Sequence, residues 1–266
     1  MQLSSAAVAA GYHLTAHDTL ASTNAEALTL ARRGERGPLW IVARRQTAGR
    51  GRRGNAWVSP PGNLYATLLL TDPAPPECAP ELSFVTALAL HDAILRRAPA
   101  LRQVLALKWP NDILCSGAKL AGILIEGERA ADALAVAIGI GVNCQNHPAQ
   151  TAYPVTDLKA AGAHVSAEDL FATLSATMLQ RLGQWRRGAG FGDIRADWIA
   201  RGAGIGGDMR VKLPDREIFG CGEGLDERGR LLLRLPNGSA QAIAAGEVFP
   251  VAGAVPLQAR AAEQSN

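Results

Sequence analysis

The chain has 266 residues, 48% hydrophobic and 19% charged, enough for one large domain with a real core and a smaller companion. A formal charge of +3 does not demand a nucleic-acid surface, no apolar run approaches the roughly 20 residues of a membrane span, and Met1–Ala10 lacks the basic start and apolar centre of a signal peptide. The four cysteines, Cys78, Cys115, Cys144 and Cys221, are scattered and form no C-x-x-C pair, so the expectation is a cytoplasmic protein with reduced thiols and no cysteine-bound metal.

Residues 12–16 alternate apolar and polar side chains as a short strand would. Ser22-Thr23-Asn24-Ala25-Glu26 then marks a helix start, with Thr23 as the cap and Glu26 reaching back in a capping box, before Gly34 stops the helix near Arg33. The same polar cluster at a helix N-terminus could hydrogen-bond a neutral polar ligand head. His13 and His17 share a face, but no third ligand type lies nearby, so a metal is not indicated.

Two strand-like runs, 39–45 and 63–70, flank residues 46–57, where three glycines and three arginines alternate. Guanidinium forks suit phosphate or carboxylate oxygens, and glycine lets a ligand approach the backbone closely. With like charges and no apolar anchor, this loop is expected to order around an anion. A nucleic-acid-binding RG segment or a solvated loop would share the composition, but the run occurs once, between strands, which favours an active-site loop.

Residues 73–76 form a rigid connector, and an amphipathic scaffold helix spans 81–97, closed by Pro99. Residues 108–114 and 119–126 read as two strands of a hairpin turned at Ser116-Gly117. Lys119, one of only four lysines, opens the apolar second strand; it either points to solvent or meets an anion. Residues 133–140 form a buried strand running into a glycine-permitted turn at 139–143, which lacks the third glycine of a dinucleotide fingerprint. No Walker loop occurs. Helices are expected over 167–187, behind a Ser166/Asp169 cap, and 191–200. Glycine-rich 202–207 is a boundary, after which short strands at 209–213, 218–224, 231–235 and 240–244 suit a small barrel. This gives domains at 1–204 and 205–254 and a disordered tail at 255–266.

Four ordered motifs now stand together: GRGRRG inside 46–57, KWPND at 108–112, KLAGILIE at 119–126 and GIGVN at 139–143. With the segments around 217–220 and 246–248, they resemble the biotin protein ligases over about residues 12–251. The resemblance implies an α+β fold, a mixed β-sheet with helices followed by a small SH3-like β-barrel. It implies ATP-dependent formation of biotinyl-5′-adenylate, with Mg²⁺, and transfer to a lysine of the biotin carboxyl carrier domain of acetyl-CoA carboxylase. By resemblance, Arg52 and Lys119 are catalytic. Ser22, Thr23, Asn24, Gln46, Arg50, Gly51, Gly122 and Leu124 join them around biotin. Arg52, Trp57, Lys119 and Asn143 serve ATP, and Asp112 serves the metal.

The chain departs from the family pattern in three places. The Ser22 cluster comes too early to leave room for the DNA-binding domain of bifunctional members, so ligase activity alone is expected, without DNA or membrane partners and as a monomer or homodimer. Cys144 follows the asparagine where an apolar residue is usual. No arginine follows Glu247 closely. A lipoate ligase or lipoyl transferase is the neighbouring reading, and a nucleic-acid-binding module the more distant one.

Overall fold

The computed structural model describes residues 1–130 and 132–250; the expected tail and the last expected barrel residues, 251–254, lie outside them. Strands β1 (His13–Leu20), β2 (Leu39–Gln46), β3 (Leu64–Thr71), β4 (Leu105–Lys108), β5 (Asp112–Cys115), β6 (Ala118–Ala130) and β7 (Ala133–Val142) form one sheet in the order β1-β2-β3-β7-β6-β5-β4. Only β1 and β2 run parallel, so the sheet is mixed, as expected.

The period of two in β2 assigns its residues to two cores. Trp40 and Val42 face a large cluster, while Leu39 and Ile41 face a smaller one on the opposite side. Helices α1 (Ser5–Ala9), α2 (Thr23–Arg32), α3 (Leu82–Arg97), α4 (Ala167–Trp185) and α5 (Phe191–Ile199) cover these faces. Leu88 of α3 and Leu174 of α4 fill the large core, and Ala27 and Ala31 of α2 the small one. Thr177 ties α4 to α3 by donating to the Ala89 carbonyl at 2.8 Å. Contrary to expectation, one helical stretch, Pro76–Arg97, is long and apolar enough to cross a membrane, but most of it is buried in this core.

Strands β8 (Asp208–Lys212), β9 (Glu217–Leu225), β10 (Leu231–Arg234), β11 (Ala240–Ile243) and β12 (Glu247–Pro250) make a second, wholly antiparallel sheet, ordered β11-β10-β9-β8-β12. Its β9–β10 turn docks on the first unit: Gly229 accepts from the buried Trp109 indole at 3.0 Å and lies against the Phe84 ring.

Several local expectations change. Ser22, not Thr23, caps α2, accepting from the Ala25 amide at 3.4 Å, because the Thr23 amide and hydroxyl both turn to the Gln46 side-chain oxygen Oε1. KWPND is not a continuous strand: it is the turn between β4 and β5, with the Trp109–Pro110 peptide cis, and Asn111 and Asp112 line the cavity beside it. Strand β7 continues through the GIGVN glycines instead of turning there, because Gly139 and Gly141 pair with both β3 and β6. Strand β12 and helix α1 were not expected. Helix α4 begins at the Ser166 cap as read but stops two residues early, since Arg186 and Arg187 adopt left-handed φ of 48° and 58°.

Candidate active site

The glycine-arginine loop is a tight hairpin rooted at both ends. The Gly51 amide donates to Asn55, the Trp57 amide donates to Gly49, and Gln46 reaches Ser59, whose hydroxyl returns to the Trp57 carbonyl. It does have an apolar anchor: the Trp57 indole packs against Gly141, where an added Cβ would lie 2.5 Å from the ring. The three arginines separate. Arg50 pairs with Glu126 at 3.1 Å, and Arg52 points inward to donate to the Asn111 side-chain oxygen at 3.0 Å. Among the described residues the Arg53 side chain has no partner, and its φ is 57°. Burial and the Arg53 charge pull the Arg52 pKa down, while Asp112 and Glu247 oppose them.

One end of the cavity is built for a neutral, hydrogen-bonding group. Ser22, Thr23 and Asn24 are polar yet almost wholly buried. The Thr67 hydroxyl lies 2.8 Å from the Thr23 hydroxyl and 2.7 Å from the Asn24 oxygen, and the Asn24 amide donates to Glu126 at 2.9 Å. Gly139 makes room, since a Cβ there would lie 2.4 Å from the Asn24 oxygen. Leu124 supplies apolar lining, and Gly122 lies under Trp57 and the Lys119 ammonium.

The other end is cationic. Lys119 Nζ is 2.7 Å from Asp112 Oδ1, close enough to pair although off hydrogen-bond alignment, and Lys108 Nζ is 3.9 Å from Oδ2. Burial lowers the Lys108 pKa; Asp112 and Glu247 raise it and Lys119 lowers it further. The Tyr153 ring roofs both ammonium groups, at 5.6 Å from Lys119 and 5.8 Å from Lys108. Its segment is strapped to Lys119 itself, whose amide donates to Pro154 and whose carbonyl accepts from Thr156. From the second sheet, Gly246, Glu247 and Phe249 close the wall, with the Phe249 ring 5.1 Å from Lys108 Nζ.

The structure thus brings all but one of the expected site residues to a single cavity. Asn143 is the exception: it is buried beneath, and its amide donates to Thr156, holding the strap. Among the described residues no three His, Cys, Asp or Glu side chains gather as a metal cage. Asp112, with Glu247 on the same wall and one oxygen facing Lys119, offers the carboxylate oxygen that a Mg²⁺ arriving on phosphates would use while keeping most of its waters. Sequence reasoning missed Tyr153, Asn111 and Lys108 as site residues and gave Glu126 no role. Tyr153 sits in an irregular loop with no periodicity to flag it, whereas the motif positions of the others were a usable signal.

The biotin/lipoate A/B protein ligase family model matches residues 19–143, and the biotin protein ligase C-terminal domain model matches residues 205–249. The biotin–[acetyl-CoA-carboxylase] ligase of Paracoccus denitrificans is 43% identical over 235 residues, spanning 86% of this chain and 96% of that protein. The bifunctional ligase/repressor of Bacillus subtilis is 32% identical over 86% of this chain and 71% of its own length. The solved biotin protein ligase from Aquifex aeolicus in complex with biotin and ATP superposes with a TM-score of 0.73 at 26% identity, covering 89% of this chain and 97% of that one.

Proposed function

The chain belongs to the biotin/lipoate A/B protein ligase family, among its biotin protein ligases, and from that premise we propose how its cavity divides the work. The enzyme joins biotin to ATP and passes the biotinyl group to a carboxylase carrier lysine. The observation that carries the division of labour is the polarity of the cavity, a neutral hydrogen-bonding end at Thr23–Asn24 and a cationic end at Arg52, Lys108 and Lys119.

In the first step, a biotin carboxylate oxygen attacks the α-phosphorus of ATP, the bond to the bridging oxygen breaks, and pyrophosphate leaves with the electron pair. Two anions must be held in line, so fixed positive charge is the main requirement and no protein nucleophile is needed. Ser22, Thr23, Asn24 and Gln46 hold the ureido head, with Leu124 and Gly122 along the rings. Arg50 and Gly51 shape the loop above. Arg52 and Lys119 face the oxygens on which charge develops, and Lys108 adds a second ammonium. Trp57 stands at the nucleotide side, and Asn143 acts there through the strap. Asp112 would hold Mg²⁺ on the phosphates, where the ion neutralises their charge. In the second step the acceptor lysine nitrogen attacks the acyl carbon, AMP leaves, and an amide forms. Aromatic cover from Tyr153 and Phe249 keeps water from the adenylate.

The carrier domain of acetyl-CoA carboxylase is the proposed acceptor, and the division at residues 204 and 205 is the proposed domain boundary. Free cysteines accord with a cytoplasmic setting. Action without DNA or membrane, as a monomer or homodimer, belongs to the same proposal. The test is exchange of labelled pyrophosphate into ATP with biotin or lipoate, for wild type and Lys119→Ala. Biotin-dependent exchange that collapses in the variant is expected; exchange driven by lipoate alone would replace the substrate, and an undiminished variant would remove Lys119 from its role.

A further inference from the structure

Glu126, the last residue of KLAGILIE, touches both halves of the biotin end. It lies in β6 opposite Ala137, and its Oε2 accepts from Asn24 at 2.9 Å while the Arg50 guanidinium meets Oε1 and Oε2 at 3.1 and 3.2 Å. Asn24 has little freedom to choose another partner. Its oxygen lies against the Thr67 hydroxyl, its amide also meets the Leu124 carbonyl at 3.3 Å, and Gly139 presses from below. Arg50 is equally constrained, because it pairs with Ala56 across the base of the loop hairpin. Of the three loop arginines it is the one with a protein carboxylate within ion-pair distance, among the described residues. The residue that meets the ureido head and the arginine that anchors the loop therefore share one carboxylate.

We propose that Glu126 is a positioning residue that latches the glycine-arginine loop over biotin and couples loop closure to occupation of the Asn24 end. The proposal rests on the biotin ligase reading. A ligand that fixes the Asn24 amide holds the Glu126 carboxylate in place, and the held carboxylate keeps Arg50 and the hairpin down. An open loop would let the adenylate escape to acylate bystander lysines.

Glu126→Gln keeps an acceptor for Asn24 and removes the charge that holds Arg50, so it separates the latch from the packing. Three readouts are compared with wild type: proteolysis within residues 47–55 with and without biotin, biotinylation of a lysine-rich bystander protein, and the KM and kcat of biotin-dependent pyrophosphate exchange. The expected result is biotin protection of the loop weakened about three- to tenfold, bystander labelling raised by a similar factor, and KM raised more than kcat falls. A merely structural role would lower the thermal midpoint without touching the difference between free and biotin-bound proteolysis.

Should Glu126→Gln misfold, Arg50→Met tests the same pair from the loop side and should leak in the same way. Where both singles fold, the double variant should leak no more than either. Wild-type protection and background labelling in a folded single variant, or additive leakage in the double, would overturn the latch. Absence of biotin-dependent exchange in the wild type would instead overturn the functional reading, and the latch with it.

Discussion

Asn24 shows how much of one residue's task is set by neighbours remote in sequence. Its oxygen faces Gly139, 115 positions away, so Gly139→Ala must shift the Asn24 amide off its bonds to Thr67 and Glu126. We expect the biotin KM to rise at least about tenfold, matching the roughly 1–3 kcal/mol cost of a buried polar group denied its partner, with kcat for exchange changed less. Steady-state exchange kinetics check it. Lys119→Ala should show the opposite split, with kcat falling about 100-fold or more and the thermal midpoint little changed, as measured by the same exchange and by calorimetry. The resemblance of the motifs to the biotin protein ligases nominated Asn24, Arg52 and Lys119, which residue types alone left open to capping or solvent-facing readings. Their partners were hidden, because Thr23 could as well cap a helix as reach Gln46, and only the sheet register decides between them. The thiol of Cys144, noted as a departure, is simply buried, and burial pushes its pKa up to about 12.

Among the elements, long periodic segments were legible and irregular ones were not. Helices α3 and α4 announce themselves through apolar spacing and, for α4, the Ser166 cap, whereas the turn signal of Pro110-Asn111-Asp112 reads as strand because apolar residues follow it at 113–114. The loop hairpin should be cut more slowly by protease within residues 47–55 when biotin is added; unchanged cleavage would count against closure of the loop on biotin and against the latch with it. Where α3, α4 and α5 meet, Arg181 bonds Asp92 and Asp197 at 2.6 and 2.5 Å. Burial would raise both carboxyl pKa values, but hydrogen bonds from Arg181, joined by His91 at Asp92 and Gln184 at Asp197, prevail and hold them below the ordinary range. The stability these pairs provide is therefore complete above about pH 4 and is lost as pH falls through the depressed folded values. Arg181→Met should cost about 2–3 kcal/mol at neutral pH, less than a fully buried pair because Asp197 is partly exposed, and move the acid-unfolding midpoint upward in a circular-dichroism titration.

At the scale of the molecule, the second sheet is part of the cavity wall, since Glu247 and Phe249 face the cavity and Gly229 seats the β9–β10 turn under Trp109. Gly229 has φ of +74°, and a Cβ there would lie 2.6 Å from the Phe84 ring. Gly229→Ala should lower stability by about 1–3 kcal/mol, and proteolysis and exchange assays should show the second sheet loosened and activity reduced together. The sequence suggested a small barrel from its turn spacing, but not its seat, because nothing in a turn's composition states what it will press against. The Tyr153 strap has a different kind of consequence. It is fastened by the backbone of Lys119, so it cannot lift away without breaking two main-chain hydrogen bonds to the residue whose ammonium it covers. The cover and the charge beneath it therefore share one stretch of main-chain hydrogen bonding.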